Sequence, residues 1–169
     1  MLTKPESGQF PSYFSRYIDK CPDDILPFLT EQTKSFVTLL EQIPEEKWDY
    51  AYAEGKWTLK QSIIHLIETE RIFAYRSLVL SRKETQNLPG FDQDEYVSNH
   101  DSTHLTSDYV IEDFKRTRAL TLHQFDGYNQ EQWDYIGSVS GHPLMNKALS
   151  YMIGGHVEHH IEIINERYL

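Results

Sequence analysis

The chain has 169 residues, the size of one ordinary domain with a sizeable core. Its 26 Asp and Glu outnumber 16 Lys and Arg, and the resulting formal charge of −10 argues against a sequence-independent grip on nucleic acid or on an anionic membrane. Cys21 is the lone cysteine, so no intrachain disulfide can form, and no apolar run approaches the length that spans a membrane.

The N-terminal stretch Met1 to Phe10 lacks the apolar core of a signal peptide, so a cytosolic protein is expected. Residues 1–22 hold Pro5, Pro11 and Pro22 among Phe10, Tyr13, Phe14 and Tyr17. This composition reads as an irregular arm packed on the body, with room for one short turn of helix. Asp23 or Asp24 caps a first long helix that runs to about Gln42 and stops before Pro44. Its apolar positions Ile25, Phe28, Leu29, Phe36, Leu39 and Leu40 suit one buried face. Pro44 to Trp48 reads as a short helical turn. Thr58 followed three residues later by Gln61 is a capping-box pattern, opening a second long helix to about Arg82 with His65 near its start.

Asn87 to Asp94 reads as a loop with turn chemistry at Pro89-Gly90, and Asp92 or Asp94 begins a short helical turn through Tyr96. Thr106 or Ser107 caps a third long helix ending before Asp126-Gly127, with Ile111, Phe114, Leu122 and Phe125 inward. Gly137 to Pro143 is expected to be a connection, with Pro143 in the first turn of the fourth helix. No stretch shows sustained period-two alternation. The expectation is a single all-α domain over 1–169, a four-helix bundle with an irregular arm at 1–22.

The last helix carries the chemistry. Leu149, Met152, Ile153, His156, His160, Ile163 and Ile164 recur at helical spacing, which puts two histidines on the core-facing stripe. Imidazoles four apart have Cβ atoms about 5–6 Å apart, close enough for both rings to reach one metal ion. Buried imidazoles without a ligand need other polar partners. His159 competes with His160 for the second place, because spacings of three and four share a face; spacing alone favours His160 only slightly. Glu158 lies about 200° round the helix from His156, so the metalloprotease His-Glu-x-x-His arrangement does not apply. Gly154-Gly155 either admits another backbone or a ligand, or marks a tight helix crossing, since a helical glycine costs about 1 kcal/mol.

A third ligand must come from elsewhere, and His65 on the second long helix is the natural one in an antiparallel bundle. Three neutral imidazoles leave a coordination position open, as in catalytic rather than structural zinc. A metal so held would activate a water or polarise a carbonyl or thiol. Glu68, one turn beyond His65, is the candidate to orient an imidazole or act as base, against the commoner fate of a salt-bridged or solvated carboxylate. A ferritin-like di-iron centre is excluded because the chain has no Glu-x-x-His pair. Cys21, beside Pro22 with no histidine near it in sequence, reads as a packing residue.

Taken together, Phe10 to Ile18, Gly55 to Arg76, Leu88 to Tyr96 and His142 to His160 resemble the DinB-like superfamily, which groups damage-inducible proteins with metal-dependent hydrolase-like ones in a four-helix bundle. The resemblance implies a divalent metal, typically zinc or nickel, held by one histidine of the second helix and a His-x-x-x-His pair of the fourth. Those positions are His65, His156 and His160, which decides between His159 and His160. It implies a small-molecule substrate, in some members a low-molecular-weight thiol used by S-transferases or isomerases, and commonly a homodimer. Two functions follow as expectations: a metal-dependent hydrolase or thiol S-transferase, or a non-catalytic bundle that binds a small molecule or a partner protein.

Overall fold

The computed structural model describes residues 2–169, so all of the arm except Met1 lies within it. The arm is more regular than its prolines suggest. A 3-10 turn over Ser12–Phe14 runs directly into α1 (Ser15–Ile18), which packs on the last helix. The long helix α2 (Ile25–Glu41) follows Asp24, buries Ile25, Leu29, Phe36 and Leu40, and ends before Pro44, where the short α3 (Glu45–Trp48) begins.

The second long helix, α4 (Leu59–Leu80), opens with the expected capping box: Gln61 N–H donates to Thr58 Oγ1 at 3.1 Å and Thr58 N–H to Gln61 Oε1 at 2.9 Å. Asp92 caps α5 (Gln93–Asn99) by accepting from the amides of Asp94 and Glu95. Thr106 caps α6 (Ser107–Asp126), and Asn129 caps the short α7 (Gln130–Asp134).

The expected connection from Gly137 to Pro143 is instead a hairpin. Strand β1 (Ile136–Val139) pairs antiparallel with β2 (His142–Met145), with Val139 opposite His142 and Pro143 opposite Ser138. The two-residue loop between them places Ser140 at φ 53° and Gly141 at φ 78°, the left-handed pair that matches strand twist. Pro143 therefore sits in a strand, and α8 (Asn146–Ile163) starts after it. A strand of four residues is too short to display alternation, and a two-stranded ribbon has edges on which proline costs no ladder bond. Leu88 bonds to Val139's neighbours, donating to Ser138 O at 2.9 Å and accepting from Ser140 N at 2.8 Å, which fastens the segment between α4 and α5 to the hairpin. A π-helical turn (Ile164–Tyr168) ends the chain, its Tyr168 hydroxyl donating to Trp57 O at 2.8 Å.

α4 packs against α6 and α8, and α2 packs against the same two. The consecutive long helices α2 and α4 are therefore diagonal in the bundle rather than neighbours. Two hydrophobic clusters fill it, one around Leu29, Phe73, Phe125 and Met152, the other around Phe36, Leu66, Phe114 and Val157. Each such side chain contributes about 1.5–3 kcal/mol by leaving water.

Between the clusters lies a polar layer that touches all four helices. The fully buried Arg118 of α6 bonds both carboxylate oxygens of Glu70 on α4 at 2.8–3.1 Å, and donates at 3.2 Å to Leu29 O and to Gln32 Oε1 on α2. Gln32 Nε2 passes the chain on to Gly154 O at 2.9 Å and Glu158 Oε1 at 2.7 Å on α8. Glu158 is thus turned away from the histidine stripe, as its helical angle requires. No helix among the described residues is long and apolar enough to cross a membrane.

Candidate metal centre

Helical geometry sorts the side chains of α4 around His65. At about 100° per residue, Ser62, Thr69, Phe73 and Arg76 fall about 20–80° to one side of it, and Glu68 about 60° to the other. Ser62, Thr69, Phe73 and Arg76 line cavities together with His65. Glu68 lines a different one with His100 and His104, its Oε1 lying 3.2 Å from His100 Nδ1. The structure therefore does not bring Glu68 to the three clustered histidines; its carboxylate lies beside His100 in a separate cavity.

The nitrogens of His65, His156 and His160 lie within 4.8 Å of one another, and all three rings are buried. His156 Nε2 is 3.3 Å from His65 Nε2 and 3.2 Å from His160 Nε2. An sp² ring nitrogen offers one proton or one lone pair in its plane, so hydrogen bonding satisfies one of these approaches at a time. A tetrahedral ion with bonds of about 2.0–2.1 Å holds imidazole nitrogens about 3.3–3.4 Å apart, and one cation then satisfies all three. The outer nitrogens are already engaged: His160 Nδ1 is 2.9 Å from Ser62 Oγ, and His65 Nδ1 is 3.4 Å from Thr69 Oγ1. With Nδ1–H donating to each hydroxyl, the Nε2 lone pairs face inward, the tautomer a metal requires.

Electrostatics agree. Burial pushes His65 down to about 4, and burial followed by the charges of His65 and His159 pushes His160 down to about 3. Burial, then the neighbouring His160 and His65, holds His156 well below the usual imidazole value. All three are neutral near pH 7 and available as ligands. The donor set fits a borderline divalent ion such as zinc or nickel.

The cluster sits where two lobes of a cleft meet. One lobe, about 320 Å³, is lined by Trp57, Lys56, Tyr52, His159 and Tyr168; the other, about 270 Å³, by Phe14, Phe73, Phe91 and Arg76. Arg16, Tyr17, Gln93, His65 and His156 border both, so α1 and the start of α5 wall the cleft. The position of α1 explains one glycine of the pair. A Cβ on Gly155 would lie 1.9 Å from Tyr17 O, so only glycine lets the α1 backbone settle there and lay the Tyr17 ring 5.3 Å from His156. His159 borders the first lobe, its ring 5.5 Å from Tyr17, and is outside the converging group. Cys21 is buried with Sγ 3.3 Å from Tyr151 O, and burial raises its thiol to about 12, which leaves it a packing residue.

The model of the DinB superfamily matches residues 29–164. The chain belongs to the DinB superfamily. No curated protein sequence matches it significantly. Among solved structures it is similar to YfiT from Bacillus subtilis, described as a probable metal-dependent hydrolase with an unusual four-helix bundle topology. That match has a TM-score of 0.63 at 16% identity and covers 97% of this chain and 93% of YfiT. It is also similar to a mycothiol-dependent maleylpyruvate isomerase, with a TM-score of 0.68 at 14% identity over 85% of this chain but only 60% of the isomerase. These likenesses establish the DinB fold. Sequence reading missed Ser62, Thr69, Arg76, Tyr17 and Trp57 at this DinB cleft. The signal for the first three was present, since they share the His65 side of the helical wheel.

Proposed function

We propose that the chain is a divalent-metal-dependent enzyme, a hydrolase or a thiol S-transferase, with His65, His156 and His160 holding the metal. The observation that carries the reading is the spacing of 3.2 and 3.3 Å between inward-facing Nε2 atoms, of which hydrogen bonding within the cluster satisfies only one approach at a time. A divalent ion so held supplies Lewis acidity and activates a water or thiol nucleophile near neutral pH. Ser62 and Thr69 fix the ring orientations, and Trp57, 4.8 Å from the His65 ring, shields it from water. Arg16 and Lys56 against Asp94 leave the lining of the first lobe net positive in an otherwise acidic protein, which suits a small polar thiol that carries negative charge. The similarity to a mycothiol-dependent isomerase supports a low-molecular-weight thiol as the substrate class. A homodimer belongs to the proposal and is measured by sedimentation velocity.

The test begins with metal analysis of protein purified without a polyhistidine tag, expecting about one zinc or nickel per chain. His156→Ala is expected to abolish both metal uptake and turnover of ester and thiol-transfer probes. Full activity in metal-free protein would rule the enzyme reading out. One observation favours the non-catalytic alternative: His65 and His160 each meet a hydroxyl outside the cluster, and no carboxylate among the described residues bonds any of the three rings. Stoichiometric metal with no turnover of either probe class would select that alternative.

A further inference from the structure

The second lobe of the cleft contains a buried cation without a counter-ion. Arg76 is 6% exposed, and its one protein hydrogen bond among the described residues runs from Nη2 to Pro89 O at 2.8 Å. A guanidinium has five N–H donors, so most are left over. No carboxylate of the described residues lies in ion-pair range of it, although the chain carries 26 acidic residues. Phe73 and Phe91 flank it, each ring centroid 5.7 Å from its Cζ. Burying an unpaired charge is costly, and Arg118 shows how this fold neutralises one when the purpose is structural. Arg76 is not neutralised, and it lines the same cavity of about 270 Å³ as His65 and His156.

We infer that this lobe binds the carboxylate of a small, flat, apolar acid, with Arg76 as its bidentate partner and the opposite end of the ligand at the histidines. A guanidinium fork matches a carboxylate in plane and charge. Phe14, Phe73 and Phe91 give the lobe an apolar aromatic lining for an aryl or alkenyl body, and the volume lies near the lower end for small-molecule sites, about 300 Å³. The selectivity itself does not need the metal. It rests on the proposed function only for which end of the ligand reacts.

The probes are phenylacetate and its neutral isostere phenylacetamide, titrated by NMR into the full chain, metal-free and zinc-loaded. Phenylacetate is expected to bind ~10-fold or more tightly than the amide in both states, the worth of hydrogen bonds to a charged group. Arg76→Met removes the preference, Arg76→Lys keeps part of it, and His156→Ala keeps it whole. Equal binding of acid and amide by the wild-type chain, or no binding of the acid, overturns the inference without any variant having to fold. So does a preference that survives Arg76→Met, or one that appears only with zinc and vanishes in His156→Ala, which would put the carboxylate on the metal. A chain that takes up no metal but still prefers the acid would sink the proposed function and leave this inference standing.

Discussion

The Arg118 layer and the histidine cluster are both buried polar groups built partly on α4 and α8, yet their hydrogen-bond accounts differ. Arg118 meets Glu70, Gln32 and the Leu29 carbonyl, and Gln32 hands the network on to α8. Every strong group there faces a partner from the same chain. The histidines face one another, three inward nitrogens with the cleft beside them. A closed network holds helices together; one whose donors and acceptors do not balance is waiting for something from solution. Arg76 belongs with the second kind.

The largest effect should come from breaking the closed network. Arg118→Met leaves the 3% exposed Glu70 carboxylate without its partner and should cost about 3–5 kcal/mol in urea denaturation, while the fold around the histidines persists. Pairing it with Glu70→Leu should recover much of that loss, because two apolar groups replace two buried charges. A cost under about 1 kcal/mol, the range of exposed ion pairs, would mean the layer is not the closed unit drawn here.

Protonation attacks the open cluster instead. In the metal-free protein His65 is lowered from 6.5 to about 4, so between these values the unfolded chain binds a proton that the folded chain refuses. Stability is therefore full above about pH 6.5 and falls as pH drops toward 4, by about 3 kcal/mol from His65. His160, lowered to about 3, pushes the same way, with the titrations coupled rather than additive. Urea midpoints across pH 7 to 4 measure this, and His65→Leu should flatten the slope. A slope unchanged by that substitution would show that the cluster is not what the acid limb reports.

How far the sequence could anticipate these sites follows from helix geometry. His156 and His160 were legible because four residues on one helix is a rigid distance, and the apolar stripe said which way they face. The capping box at Thr58 was legible for the same local reason, and it sets the phase of α4. His65 could be named from its helix and from family resemblance, but its approach to His156 depends on how two helices pack. The position of α1 was not legible at all: it depends on Gly155 meeting the Tyr17 carbonyl, a contact across 138 positions of chain whose glycine signal had two readings. The hairpin from Ile136 to Met145 was missed because its pairs include Gly137 and Pro143, which carry no strand propensity.

A smaller effect is expected where a hydroxyl steers a ring. Ser62→Ala removes the partner 2.9 Å from His160 Nδ1 and should weaken metal affinity by about 10–100-fold, the usual cost of losing an outer partner of a ligating imidazole. Competition with a chromophoric chelator reads this directly. Stability of the metal-free chain should change little, which separates orientation of the ligand from packing. An unchanged affinity would mean that the ring is held by the cluster alone.

The smallest effect is expected at Glu68, and it tests the comparison most sharply because residue type and spacing made this position a candidate to orient an imidazole or act as base. The carboxylate is one helical turn from His65, yet three residues carry it to the wrong side of α4 while four carry Thr69 to the right one. It lies in ion-pair range of His100 with both side chains about a third exposed, at 28% and 34%. Such a pair contributes about 0–1 kcal/mol. Glu68→Gln should therefore shift stability by less than about 1 kcal/mol and leave metal affinity within experimental error. Thr69→Val should weaken the metal detectably, since its hydroxyl is the one that faces His65 Nδ1. If instead Glu68→Gln weakened metal binding as much as Ser62→Ala, the stripe that divides open from closed polar groups on α4 would be drawn on the wrong face.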